Sequence, residues 1–251
     1  MIIDVLTIFP NMLDAYLQES IIKRALVDEK IEINVRNIRN YSKLKHHQVD
    51  DTIYGGGAGM LLQFPPFYDA IHSLKKENTH IILTSPKGKT LTQSRVKELA
   101  KKDHIIILCG HYEGIDSRIE AFVDEEVSIG DYVLTGGELA SLVLIDAITR
   151  LQEGVINEAS HLDDSFSEGL LEYPQYTKPH TYEGYDVPEV LLSGHHENIK
   201  QFRKYESLKE TYLKRPDLLK NLSKEDKIIL EKIKEDLKWK KCYCFYCLVY
   251  Y

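Results

Sequence analysis

His104–Gly110 reads HIIILCG, an apolar run closed by a glycine. A strand with one wet face alternates polar and apolar residues, so a run like this reads as a strand covered on both sides. Working outward, strands are predicted at Ile2–Phe9, Ile31–Ile38 and His80–Ser85, with shorter ones near Val127 and at Tyr132–Leu134. Helical patterns lie between them at about Met12–Leu26, Phe67–Lys75, Gln93–Lys101 and Glu138–Leu151. Apolar strands separated by amphipathic helices predict an α/β fold built on a largely parallel sheet.

At 251 residues the chain exceeds the usual single-domain size, so a major domain with a smaller one attached is expected. Its 43% hydrophobic and 28% charged residues are ordinary for a soluble globular protein. No apolar run approaches the roughly 20 residues that span a bilayer. The opening MIIDVLTIFP starts as a strand and lacks the basic region of a signal peptide. Of four cysteines, three crowd the end in KCYCFYCLVYY, which is no disulfide framework and points to a reducing cytoplasm.

The net charge of −7 argues against a nucleic-acid partner, but its distribution argues the other way. His195–Lys241 holds fourteen Lys and Arg against nine Asp and Glu, so positive charge is concentrated in a C-terminal segment. Taken alone, that segment also fits a solvated, salt-bridged helical face. Gly154–Pro188, acidic and then rich in tyrosine and proline, reads as an interdomain linker and entry loop. Beyond SGHHENIKQF the chain is helical, with Ser223 capping a helix and Asp226 three residues on.

Three motifs are set aside. In IYGGGAGM, Met60 stands where a dinucleotide loop needs its third glycine. SPKGKT ends like a phosphate loop, but Leu83 occupies the position of the first glycine. Cys242, Cys244 and Cys247 have no fourth zinc ligand at a sensible spacing and sit among aromatic residues.

What remains is a set of glycine turns, each following a strand: LTSPKG, LCGHYEGID and SIGDYVLTGGE. Loops at the carboxyl edge of one parallel sheet enclose a common pocket. Glycines admit close backbone approach to a ligand, and the side chains among them are mostly apolar, aromatic or acidic. Such a pocket suits an adenine read by backbone hydrogen bonds, together with a cationic group.

YGGGAGM, SPKG, CGHYEGIDSR, SIGDYVLTGGELA, LIDAITR, DDSFSEGLLE, YPQYTKP and LLSGHHENIKQFR occur in this order. In this the sequence resembles the bacterial tRNA (guanine-N1)-methyltransferases, the TrmD family of the SPOUT class, from the first strand to about Lys234. The resemblance implies an α/β domain (1–153) with a deep trefoil knot, a linker carrying an active-site loop (154–187), a small helical tRNA-binding domain (188–241) and a homodimer. The tail, 242–251, has no role assigned by it. The implied reaction moves a methyl group from S-adenosylmethionine to N1 of guanine 37, beside the anticodon, when another guanine precedes it.

The resemblance assigns methyl-donor binding to Leu83, Ser85, Pro86, Gly110, Tyr112, Glu113, Ile129, Gly130, Tyr132, Leu134, Gly136 and Gly137. Asp164 matches the general base that removes the N1 proton, and Arg150 the cation that meets the charge growing on guanine O6. Leu83 and Glu172 depart from the family pattern, which places an aromatic residue and an aspartate there. His195 and His196 stand together, for RNA contact or helix capping rather than metal ligation. Mg²⁺ is implied as a cofactor, although no conventional ligand cluster is visible in the sequence. An RNA-binding module without activity, and a SPOUT enzyme acting at another RNA site, remain open alternatives.

Overall fold

A computed structural model describes residues 1–156, 165, 166 and 169–249, the stretch 239–249 by backbone alone. The chain divides into two compact units, Met1–Glu158 and Ala159–Tyr251.

The first unit is built on a five-stranded sheet. Its strands are β1 (Ile2–Thr7), β2 (Glu32–Asn37), β5 (Thr79–Thr90), β6 (His104–Cys109) and β7 (Glu125–Ser128), in the order β2-β1-β6-β5-β7. Every pairing between them is parallel. A two-stranded antiparallel ribbon, β3 (Asp50–Asp51) with β4 (Leu61–Leu62), lies outside the sheet. All six residues of β6 are buried. Ile105, Ile107 and Cys109 point into one apolar cluster, while Ile106 and Leu108 point into the other. Period-two alternation between two dry faces is why this strand carries no polar alternation.

Helices cover both faces. Residues of α1 (Asn11–Leu17), α2 (Ser20–Val27), α4 (Gln93–Leu99) and α5 (Glu138–Thr149) close over the first cluster, and those of α3 (Phe64–Leu74) over the second. Two expectations are corrected. The single helix at Met12–Leu26 is two, separated at Gln18–Glu19, with Ser20 opening the second at φ 53°. Tyr132–Leu134 forms no strand; it is an exposed loop in which Val133 is 84% accessible. β5 in turn runs past Pro86 and Gly88, with Thr84 and Lys89 both opposite Val127, so Ser85–Gly88 bulges out of the ladder.

In the second unit a hairpin, β8 (Thr181–Tyr182) with β9 (Tyr185–Asp186), lies within the segment expected to be linker. Its two-residue turn, Glu183–Gly184, has φ of 48° and 83°, the positive pair that a type I′ turn needs. Then come α6 (Glu189–Leu192), α7 (His196–Lys214) and α8 (Lys224–Val249). The Ser223 cap forms as expected, its hydroxyl accepting from the Asp226 N–H at 3.0 Å.

Candidate active site

A cavity of about 380 Å³ opens at the carboxyl ends of β5, β6 and β7. Parallel strands end there with their loops on the same side, and ligands of such sheets lie beyond that edge. All twelve residues expected to bind the methyl donor, from Leu83 to Gly137, line it. So do Lys87, His111, Glu120 and Glu126, which the sequence reading did not single out. Leu83 continues the β5 ladder opposite Leu108, so its backbone position is held by the sheet.

The loops after β6 and β7 are tied to each other through their backbones. His111 and Gly136 form an isolated antiparallel bridge, and the Gly137 N–H donates to the Gly110 carbonyl at 2.7 Å. Gly137 must be glycine on steric grounds: a Cβ there would stand 2.1 Å from Thr84 Oγ1 and 3.0 Å from Cys109 Cα. The Thr84 hydroxyl meanwhile donates to the Leu108 carbonyl at 3.0 Å, joining β5 to β6 beneath the cavity. Ser128 Oγ accepts from the Gly130 N–H at 3.2 Å and lies 3.0 Å from the Gly130 carbonyl, closing the turn after β7.

The YGGGAGM stretch, set aside as a nucleotide loop, supports the same wall. The Glu113 N–H donates to the Met60 carbonyl at 3.1 Å, and the Glu113 side chain lies over Gly59. Glu113, Glu120 and Glu126 line the cavity together with Lys87, so carboxylates outnumber the cation. Burial pushes the Cys109 thiol up, against a hydrogen bond with Ser141 and with the help of the Glu138 charge, so Cys109 is structural and no nucleophile. Asp116, which lines a separate pocket with Arg118, is held below its usual range, its hydrogen bond with the Arg118 guanidinium outweighing burial.

Residues 1–221 match the family described as tRNA (Guanine-1)-methyltransferase TrmD. The chain belongs to the TrmD family. The tRNA (guanine-N(1)-)-methyltransferase of Acholeplasma laidlawii is 54% identical over 241 residues, 95% of this chain and 99% of that one. The protein of the same name from Aster yellows witches'-broom phytoplasma is 52% identical over 241 residues, 95% and 100% of the two chains. That of Streptococcus gordonii is 53% identical over 239 residues, 94% and 98% of the two chains.

Other residues singled out in this TrmD-family chain are placed as follows. Arg150 is the C-terminal cap of α5, its N–H donating to the Asp146 carbonyl at 3.0 Å. Asp164 lies outside the described residues. Near it in sequence, Phe166 lies under the Arg215 guanidinium, 5.7 Å from the ring centre. The Glu172 N–H donates to Ser165 Oγ at 3.0 Å, and its carboxylate accepts from Gln175. His195 occupies the N-cap of α7 without a side-chain cap bond, and its carbonyl accepts from the Ile199 N–H. The basic segment is extensively paired: Lys204 with Asp226 at 3.1 Å, Lys214 with Glu210, and Arg215 with Asp217 at 2.7 Å. Arg203 lies over the Tyr173 ring at 4.8 Å. The side chains of Cys242, Cys244 and Cys247 lie outside the described residues.

Among the described residues no group of three or more His, Cys, Asp or Glu is arranged to hold a metal ion. No described helix is long and apolar enough to cross a membrane.

Proposed function

We propose that this chain transfers the methyl group of S-adenosylmethionine to N1 of guanine 37 in tRNA. Family membership gives the reaction class, and the observation that carries the donor is the cavity itself. It is glycine-walled, floored by a parallel sheet and richer in carboxylates than in cations. Phosphate would be repelled there, whereas a sulfonium meets complementary charge and an adenine finds backbone N–H and C=O groups at close range.

Guanine N1 carries a proton at neutral pH and is a poor nucleophile, so the proton leaves as the methyl arrives. The N1–carbon bond forms while the carbon–sulfur bond breaks. Its electron pair stays on sulfur, giving the neutral thioether S-adenosylhomocysteine. Asp164 takes the N1 proton, and the Arg150 guanidinium stabilises the charge that grows on O6. The reading needs no step through Mg²⁺.

The finer architecture belongs to the same proposal: a trefoil knot formed at this edge of the sheet, 154–187 as the linker carrying the base, 188–241 as the tRNA-binding domain, and a cytoplasmic homodimer. The dimer is supported by an apolar face left uncovered beside the cavity. Met12 and Tyr16 on α1, Leu139 and Val143 on α5, and Val133 in the loop between β7 and α5 are all exposed. The Tyr16 hydroxyl donates to Asp146 and ties the two helices together. That bond, with burial, pushes the tyrosine pKa up, so the contact persists at neutral pH.

The test is mass analysis of tRNA transcripts with and without guanine 36 after incubation with labelled methyl donor. A single methyl on guanine 37, dependent on guanine 36, is expected. Methylation elsewhere, or on a ribose hydroxyl, would replace the reading.

A further inference from the structure

Glu138 opens α5 and is 1% exposed, yet only one of its oxygens is satisfied. Oε1 accepts from the Thr7 hydroxyl at 2.8 Å, whereas Oε2 has no hydrogen-bond partner. The nearest complementary atom is His111 Nδ1 at 3.5 Å, itself buried and unpartnered. Leaving both unpaired is costly, because a buried carboxylate oxygen and a buried ring nitrogen each forfeit their water. Each is what the other lacks: Nδ1 carrying a proton is a donor, and Oε2 is an acceptor.

The surroundings hold the two atoms face to face. The His111 ring meets Phe9 edge-on at 4.7 Å and Tyr112 at 5.0 Å. A Cβ on Gly136 would stand 2.3 Å from both Glu138 Oε2 and His111 Nδ1, so glycine there is what lets them approach. Glu138 lies in the first turn of a twelve-residue helix, where the positive end of the helix dipole faces its carboxylate. His111 belongs to the loop after β6 and Glu138 starts α5 directly behind Gly136 and Gly137, so the pair joins the bases of two loops that line the cavity.

We infer that His111 and Glu138 are a positioning pair, an Nδ1–H···carboxylate link that clamps two of the donor-binding loops together and sets donor affinity. The inference rests on the donor assignment proposed above. Neither residue is a catalytic group.

The test exploits the geometry of amides. Asparagine at 111 places an N–H near the position of Nδ1, and glutamine places it near Nε2. By calorimetry with S-adenosylhomocysteine, His111→Gln is expected to bind more weakly on the order of tenfold to a hundredfold, the range for losing a hydrogen bond to a charged group. His111→Asn is expected to stay within a few-fold of wild type, and saturating donor should return most of the kcat of either. Equal affinities in the two variants, whether both normal or both weak, would overturn the pair. Should a variant not fold, nitrogen NMR of the unliganded wild-type protein decides directly: Nδ1 protonated in wild type, and shifted in Glu138→Gln, supports the link. An unprotonated Nδ1 in the wild type refutes it. Wild-type protein that binds no S-adenosylhomocysteine while the NMR signature holds would sink the donor assignment and leave the pair standing.

Discussion

The Met1–Glu158 unit buries apolar side chains on both faces of a parallel sheet, and Ile105, Ile106, Ile107 and Leu108 are each wholly inaccessible. The Ala159–Tyr251 unit has a much thinner core, with Leu170, Leu208, Leu230 and Ile233 as the buried apolar residues among those described. It relies instead on polar ties. The Tyr205 hydroxyl donates to Asp236 at 2.6 Å between α7 and α8, and burial together with that bond raises the tyrosine pKa to about 12. Thr211 Oγ1 accepts from the Leu171 N–H at 2.9 Å, and the Ser207 hydroxyl donates to the Leu171 carbonyl. A deep core beneath the loops gives the cavity at the sheet's carboxyl edge a fixed frame. A thin core with exposed, paired charges opens at lower cost and suits a module that engages a large polyanion.

The largest expected effect tests whether catalysis joins the two units across subunits. Arg150→Ala and Asp164→Asn should each lower turnover by on the order of 10²–10⁴ while leaving donor binding nearly intact. Mixed after reversible dissociation, the two inactive proteins should regain activity, because one site of each heterodimer receives both wild-type groups. Tag-verified exchange with no recovery in single-turnover assays would place both residues in one chain.

Leu208 is wholly buried in the thin core. Leu208→Ala should cost about 2–5 kcal/mol of that unit's stability. Hydrogen exchange should show faster opening of α7 with calorimetric binding of S-adenosylhomocysteine unchanged. Weakened donor binding would mean that the two units are not energetically separate.

Gly137→Ala attacks the other side of the contrast. With Thr84 and the Cys109 backbone in the way, the extra methyl should cost about 1–3 kcal/mol in thermal unfolding and remove donor binding altogether. Ordinary donor affinity in a folded Gly137→Ala protein would show the cup to be looser than its contacts suggest.

The smallest effect concerns the start of α8. Ser223→Ala removes the cap on the Asp226 N–H and should cost about 1 kcal/mol, read as a lower denaturation midpoint without change in turnover at saturating tRNA.

The contrast also marks what was legible beforehand. β1 and β6 could be read within two residues because sheet strands buried on both faces must be largely apolar, and the half-exposed edge strand β2 shows instead the alternation of Ile33 and Val35 with polar neighbours. The glycine turns of β5, β6 and β7 pointed to one cavity, since parallel strands deliver their loops to a common edge. Tyr132–Leu134 misled because its apolar residues look like a strand while serving as an exposed rim. The break at Gln18–Glu19 carries no glycine or proline to announce it, and β5 continues past two residues that ordinarily end a strand because β7 still pairs with it.

By itself, then, the amino-acid sequence determined the buried strands, the order of the loops, the capped start of α8 and, through its motifs, the family. Those are local or contiguous properties, carried by period, composition and turn chemistry. Only the tertiary structure decided that Thr7 and His111 meet Glu138, 131 residues from the first of them. The same holds for Gly137, which excludes a side chain because Thr84 and Cys109 already fill the space. Such contacts join residues from different strands and loops, and no periodicity along the chain records which atoms folding brings within reach.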